Sequence, residues 1–227
     1  MYFAGISMEI EMNAQPLLDP SIPIVAYHPV DLSTENPALG QALQNPQTTQ
    51  QYLDRFLAEV QGLVAYGGYL EKRTLYKGFD HFRAENHLER EYHLGVDFWA
   101  PAGTSLHTPW KGSVHSWANR MLPGDYGPVI ILEHHREDGP LYSLYGHLAT
   151  QSLDGLFQGK LFEAGQCIGW LGNWDENGGY APHLHFQFIH DLQGFKGDYP
   201  GVCTFRDLAF YRQNCPDPLP LLGFFEG

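Results

Sequence analysis

The sequence is short of positive charge. It has 13 lysine and arginine residues against 26 aspartate and glutamate residues in a chain of 227, which gives a formal net charge of −13. The first basic residue along the chain is Arg55. This charge repels phosphate backbones and anionic headgroups. It therefore excludes a nucleic-acid binder that works through phosphate contacts, and it disfavours binding to an anionic membrane surface.

Cysteine is also scarce, and long apolar runs are absent. The three cysteines, Cys167, Cys203 and Cys215, form no CxxC pair, which excludes a zinc finger and is typical of free thiols in a reducing compartment. A Cys203–Cys215 disulfide is the less favoured alternative. No stretch approaches the ~18 apolar residues of a membrane span. The N-terminus also lacks the positive region and apolar stretch of a secretory signal, so we expect a cytoplasmic protein without a membrane span.

Two common enzyme motifs are missing as well. The sequence contains neither GxSxG nor GxxxxGK(S/T). A serine-hydrolase elbow and a phosphate-binding loop therefore have no support.

The chain is long enough for a core without disulfides, and its texture changes along its length. Residues 1–47 have no lysine or arginine and predict an irregular N-terminal arm, with one short strand at 22–27. Residues 48–75 predict a helical segment, 76–200 a β domain, and 201–227 a C-terminal helix and tail that pack on the core.

Periodicity supports a helix on each side of the β domain. Tyr52, Phe56 and Val60 recur every four residues, which predicts an amphipathic helix capped by Thr48 or Thr49. Residues 204–213 predict the short C-terminal helix, after which Pro216, Pro218 and Pro220 are expected to stop regular structure.

Short apolar runs broken by glycine fill the β domain, for example Pro128–Leu132 and Leu184–Ile189. Such runs are typical of strands. They predict a mainly β fold of antiparallel sheets that form an open sandwich or half-barrel with a groove.

Histidine is abundant, with 12 residues, and its spacing carries the functional signal. His93 and Asp97 are four residues apart at the start of a predicted strand, and His183 and His185 are two apart. Residues i, i+2 and i+4 of a strand share one face, so each pair can point into one cleft. His147 follows another strand. A catalytic zinc needs this residue set, with three His or carboxylate ligands and an open position for water.

The region from about residue 90 to 190 resembles the lysostaphin-like (LytM-type) zinc endopeptidases, which hydrolyse peptide cross-links of the bacterial cell wall. Five blocks in the family's order carry the resemblance: His93-Leu94-Gly95-Val96-Asp97-Phe98, Ala102-Gly103-Thr104 with Gly112-Ser113-Val114, Tyr145-Gly146-His147-Leu148, Gly165-Gln166-Cys167-Ile168-Gly169, and Pro182-His183-Leu184-His185-Phe186. The resemblance implies a zinc metallopeptidase with an antiparallel β core and a narrow groove.

Carried over motif by motif, the resemblance implies that His93, Asp97 and His185 ligate zinc. It implies that His147 and His183 flank the attacking water, one as general base and the other orienting water or stabilising the oxyanion. Which residue does which stays open. Mixed His and Asp ligands suit zinc best and also accept other first-row metals.

The resemblance implies a peptide or peptidoglycan-like substrate. The chain also resembles family modules inside larger proteins with kinase-like and aminotransferase parts, which implies a small amide metabolite as the alternative. A second function class is a latent or non-catalytic binding module. A latent site could arise if an amide of the arm takes the place of the water; the candidates are Asn36, Gln41, Gln44 and Asn45. The alternative is an arm that only packs over a sheet edge.

Other residues have weaker functional interpretations. Tyr145 is two residues from His147 and is either an oxyanion donor or a core residue with a satisfied hydroxyl. At most one of His134 and His135 is expected at the groove. The loop 172–181 is expected to rim the groove. The remaining histidines are expected to be ordinary surface or hydrogen-bonded residues: His28, His81, His87, His107, His115 and His190.

Overall fold

The computed structural model describes residues 14–73, 90–137 and 139–224. Strands dominate these residues, as the sequence predicts. Their bounds are Tyr27–Pro29 (β1), Val64–Gly67 (β2), Tyr92–His93 (β3), Val96–Trp99 (β4), Ser105–His107 (β5), Gly112–Arg120 (β6), Gly127–Arg136 (β7), Gly139–Gly146 (β8), Leu161–Phe162 (β9), Cys167–Trp170 (β10), His183–Ile189 (β11) and Val202–Cys203 (β12). The helices are Pro46–Val60 (α1), Leu208–Asn214 (α2) and Pro218–Leu221 (α3).

One large sheet organises the molecule. Within the described ranges, its strands lie in the order β1-β2-β4-β11-β8-β7-β6-β9. β1 and β2 are parallel, and the other neighbours are antiparallel. Two small antiparallel sheets, β10–β5 and β12–β3, accompany it. The mainly β, antiparallel fold with an N-terminal and a C-terminal helix is confirmed.

The two faces of the central strands carry different side chains. Leu184, Phe186 and Phe188 of β11 are fully buried on the face that packs against Leu106 of β5 and Ile168 of β10. The alternate residues, His183 and His185, occupy the opposite face, because successive strand side chains alternate. The apolar face packs into the hydrophobic core, and the opposite face carries the histidines of the candidate site.

The N-terminal helix is present and begins earlier than predicted. Pro46 takes the first helical position, and Asn45 is the cap, since its Oδ1 accepts from the Thr48 N–H at 2.9 Å. The predicted Thr48 and Thr49 caps are wrong, because their hydroxyls donate to the Ala42 carbonyl instead. A proline at the first turn loses no hydrogen bond, which favours the earlier start.

Two other N-terminal predictions need correction. The strand expected at 22–27 is mostly a 3-10 turn, Ile24–Ala26, and β1 begins only at Tyr27. Ile24 and Val25 are consecutive and both exposed, so this run lacks the alternating burial of a strand. In the segment 48–75, α1 ends at Val60 and β2 joins the main sheet. The division into four parts along the chain stays a prediction.

The C-terminal helix is confirmed, but one of the three prolines expected to stop regular structure begins a further helix. A 3-10 turn at Phe205–Asp207 leads into α2. Pro218 does not stop regular structure but begins α3, where Asp217 Oδ1 accepts from the Leu219 N–H at 3.0 Å. Among the described residues, no helix combines the length and the apolar character needed to cross a membrane.

Candidate metal centre and catalytic site

Two strands bring the predicted ligands together. β11 runs antiparallel to β4, and His185 lies directly opposite Asp97. Their facing atoms, His185 Nδ1 and Asp97 Oδ1, are 3.2 Å apart. Opposed residues of an antiparallel pair have close Cβ atoms, so the register of these two strands fixes the distance.

His93 reaches the same point by a different route. The chain leaves β3 after His93 and enters β4 at Val96, so the predicted single strand is interrupted. His93 Nε2 still lies 3.2 Å from Asp97 Oδ1 and 2.8 Å from His185 Nδ1. Gly95 makes the close approach feasible, because a Cβ there would collide with the Phe186 carbonyl and lie 2.9 Å from the His185 ring.

Each of the two histidine ligands has a hydrogen bond on the side of its ring that points away from Asp97, and this bond shows which ring nitrogen carries the proton. His93 Nδ1 lies 2.9 Å from the Gly68 carbonyl, which only accepts, so this nitrogen carries the proton. His185 Nε2 donates to Gln187 Oε1 at 3.1 Å, while Gln187 Nε2 donates to the Pro200 carbonyl and to Cys215 Sγ. The lone pairs of His93 Nε2 and His185 Nδ1 therefore both face Asp97 Oδ1.

Three electron-pair donors that converge without a shared proton repel one another unless a cation lies between them. His93, Asp97 and His185 are all buried, and each offers one ligand atom within 4.8 Å of the others. Two imidazole nitrogens and a carboxylate oxygen are a donor set that zinc and other first-row metals accept. The residues present thus fit a metal ion.

Burial sets the protonation of the cluster. Desolvation lowers the pKa of His93 to about 4, against the opposing attraction of Asp97, so the ring is neutral at neutral pH. Burial alone would raise the pKa of Asp97. Interaction with the His93 ring and with the permanent positive charge of Arg73 outweighs this effect and holds its pKa well below the ordinary value. A neutral imidazole and an ionised carboxylate are the forms that bind metal.

His147 and His183 lie beside this cluster as a second pair. Their ring centroids are 4.2 Å apart. Each ring is held from outside, His147 Nδ1 by the Asn177 carbonyl at 2.7 Å and His183 Nδ1 by the Ala181 carbonyl at 2.8 Å. Carbonyl oxygens only accept, so both Nε2 atoms carry lone pairs, and His183 Nε2 lies 3.9 Å from Asp97 Oδ1. Burial lowers the pKa of both rings, so they are neutral proton acceptors.

The backbone of His147 has an unusual conformation. Its φ is +64°, in the left-handed region that non-glycine residues seldom adopt. Its N–H donates to the Tyr126 carbonyl at 2.9 Å, and its carbonyl accepts from the Gly172 N–H at 3.0 Å. These two bonds hold a strained residue just after β8, with its ring beside His183. Such strain occurs preferentially at functional sites.

The loop 172–181 borders the cleft, as predicted. Its two acidic residues, Asp175 and Glu176, are not among the residues that line the cleft. Tyr180 and Ala181 line the cleft together with the five histidine and aspartate residues described above. The buried Asn177 shapes the loop, since its Oδ1 accepts from the Tyr180 N–H at 3.0 Å and its Nδ2 donates to the Gly172 carbonyl at 3.2 Å. Nothing in the sequence pattern singled out Asn177 or Tyr180.

The N-terminal part of the chain forms one wall of the same cleft. Leu32, Leu43 and Asn45 line it. Asn45 uses its Oδ1 as the cap of α1, and Asn36 donates through Nδ2 to the Asp31 carbonyl. The arm therefore lies at the site, and two of its four candidate amides are engaged in shaping the arm itself.

The structure decides between the alternatives for Tyr145 and agrees with the expectation that at most one of His134 and His135 lies at the groove. Tyr145 lies opposite Phe186 on the apolar face, is fully buried, and bonds to Ser143. It is a core residue with a satisfied hydroxyl and not an oxyanion donor. His134 is buried on that same face, bonded to Ser143 Oγ at 2.7 Å, and His135 is exposed, so neither residue lines the cleft.

The remaining histidines and the cysteines are mostly as expected. His107 and His115 make ordinary hydrogen bonds to Ser105 and Ser116. His81 and His87 lie outside the described residues. The three cysteines are free thiols.

Residues 91–196, a little under half of the chain, match the model of Peptidase family M23. All five predicted site residues lie within the match. A comparison with curated proteins found no match.

Among solved structures, the chain is similar to the catalytic domain of the antimicrobial peptidase lysostaphin from Staphylococcus simulans. The identity is 24% over 77% of this chain and 97% of that chain, with a TM-score of 0.43. A zinc-containing peptidase from Vibrio cholerae is 27% identical over 49% of this chain and 32% of that chain, with a TM-score of 0.35. The catalytic domain of a prophage-encoded M23 protein from Enterococcus faecalis is 20% identical over 53% of this chain and 87% of that chain, with a TM-score of 0.38.

Proposed function

We propose that this protein is a zinc-dependent hydrolase of a peptide or amide bond. The observation that carries the proposal is the convergence of three lone pairs, on His93 Nε2, Asp97 Oδ1 and His185 Nδ1, within 3.2 Å of one another. His147 and His183 present two further ring nitrogens beside them. In this proposal the first three residues hold zinc, and the other two handle protons.

Zinc bound by these three residues would supply Lewis acidity to a water molecule and to the scissile carbonyl. His147 and His183 are neutral because burial lowers the pKa of each. A neutral Nε2 accepts the proton of the attacking water as the nucleophile forms, and the resulting N–H then donates to the leaving nitrogen or to the oxyanion. The Asn177 and Ala181 carbonyls keep the two rings oriented for this exchange.

The family match supports the proposed substrate class. Members of Peptidase family M23 act on peptidoglycan peptides, and we carry this class over to the present chain. The cleft that holds the five site residues is also lined by Tyr180, Ala181, Leu32 and Leu43, which offer apolar and aromatic surface to a peptide side chain. A small amide metabolite is the alternative that the experiment separates.

The test is a hydrolysis assay with zinc-loaded protein, purified cell-wall sacculi and a panel of short peptides and small amides. New amino groups are detected by mass spectrometry, and bound zinc is measured in the same samples. His147→Ala should keep zinc and lose hydrolysis by 10²-fold or more, the usual order for general acid–base catalysis. His135→Gln, an exposed histidine on β7, is the matched control and should keep both properties.

The outcomes separate the function classes. Hydrolysis that survives His147→Ala, or a folded protein that binds no zinc, contradicts the proposal. Zinc binding with no hydrolysis of any substrate indicates a latent or non-catalytic binding module instead.

A further inference from the structure

A fully buried arginine lies against the metal-facing carboxylate. The side chain of Arg73 is 1% exposed, and its Nη1 donates to Asp97 Oδ2 at 2.5 Å. Its Nε donates to Glu71 Oε2 at 2.5 Å, and the guanidinium lies 5.5 Å from the Trp99 ring centroid. A buried guanidinium is costly unless its charge is paired and its donors are bonded, and the two carboxylates meet that need.

The two carboxylate oxygens of Asp97 have different partners. Oδ2 accepts from the guanidinium, whereas Oδ1 faces His93 Nε2 and His185 Nδ1, each at 3.2 Å. A carboxylate can bind a metal through one oxygen or through both. With Oδ2 engaged by the guanidinium, Oδ1 is the oxygen that faces the cluster.

The glycine at position 68 leaves room for the Arg73 guanidinium. Gly68 adopts a φ of +103°, which favours glycine, and a Cβ there would overlap Arg73 Nη2. The Gly68 carbonyl also accepts the His93 Nδ1 proton at 2.9 Å. Residues 67–73 therefore contact two of the three proposed metal ligands.

The contacts continue into the N-terminal part of the chain. Glu71 Oε1 accepts from the Leu32 N–H at 3.0 Å, while Glu71 Oε2 accepts from Arg73. Leu32, Glu71 and Arg73 all precede residue 91, where the family match begins. A line of hydrogen bonds thus runs from Leu32 through Glu71 and Arg73 to Asp97.

We propose that Arg73 is a positioning residue that restricts Asp97 to one-oxygen metal binding, and that Glu71 in turn fixes Arg73. On this view residues 67–73, which lie outside the matched domain, belong to the metal centre. The inference rests on the metal site proposed above.

The test measures metal binding by the full chain. Zinc affinity is obtained by competition with a chromophoric chelator, and the absorption spectrum of the Co²⁺-substituted protein reports the ligand geometry. Arg73→Lys keeps the positive charge but loses the planar guanidinium, which bonds to Asp97 through Nη1 and to Glu71 through Nε. We expect it to weaken zinc binding 10- to 100-fold, the usual effect of removing a partner of a metal ligand, and to shift the Co²⁺ bands. Arg120→Lys is the matched control, because Arg120 pairs with Asp125 and Asp198 in the same cleft without touching Asp97.

Each outcome has one meaning. Folded Arg73→Lys with wild-type zinc affinity and wild-type Co²⁺ bands overturns the inference while leaving the metal site intact. Wild-type protein that binds no zinc, or His93→Ala that binds as tightly as wild type, overturns the proposed site itself. If Arg73→Lys does not fold, Glu71→Gln replaces it, with an expected several-fold loss of zinc affinity. An unchanged affinity in Glu71→Gln, or failure of both variants to fold, would also overturn the inference.

Discussion

Acid should destabilise the metal-free protein through His93, and the size of the effect can be worked out. The unfolded chain takes up a proton on histidine near pH 6.5, whereas burial lowers the pKa of folded His93 to about 4. Between these values the unfolded state binds more protons than the folded state. Stability that is fully present above pH 6.5 is therefore lost as pH falls toward 4. At pH 5 the loss from His93 alone is about 2 kcal/mol, at 1.36 kcal/mol per pKa unit.

The assay is urea unfolding in the presence of a chelator, at pH 7.5 and at pH 5.0, for wild type and His93→Gln. Wild type should lose about 2 kcal/mol more unfolding free energy between the two pH values than the variant does, a readily measured part of the ~5–15 kcal/mol typical of domains. His135→Gln removes an exposed histidine and should keep the full wild-type loss. Equal losses in wild type and His93→Gln would refute the reasoning, because His93 would then not be held neutral by burial.

Three further predictions follow from single contacts. Tyr145→Phe should leave hydrolysis unchanged and cost about 1 kcal/mol in urea unfolding, because the hydroxyl bonds only on the apolar face of the sheet; a large loss of rate would contradict that placement. Gln187→Leu should weaken zinc binding 10- to 100-fold in chelator competition, because Gln187 Oε1 orients the His185 ring; unchanged binding would remove it from the site. Asn45→Ala should lower the free energy of unfolding by about 1 kcal/mol through loss of the α1 cap, whereas Thr48→Val should cost less if Asn45 is the cap.

Much of the site could be predicted because its elements are local in sequence. His183 and His185 are two positions apart, so any strand through them places both rings on one face. The helix at Pro46–Val60 was visible from its four-residue apolar spacing, although the cap was not, because Asn45, Thr48 and Thr49 are all good capping residues. The sequence left the role of Tyr145 open for a related reason. His147 is no longer in the strand, so a spacing of two residues did not give the two side chains a common face.

The sequence by itself determined the β character of the domain, the placement of His183 and His185 on a common strand face, and the residue types needed for a metal centre. The tertiary structure alone decided how these groups meet. His93 and His185 are 92 residues apart, and Arg73 and Asp97 are 24 apart, yet both pairs are in contact. The left-handed turn at His147 and the proton positions on His93 and His185 are set by carbonyl and amide groups from other segments. Alternation and amphipathic spacing are short-range properties of a chain, whereas strand register, burial and long-range hydrogen bonds exist only once the sheet has formed.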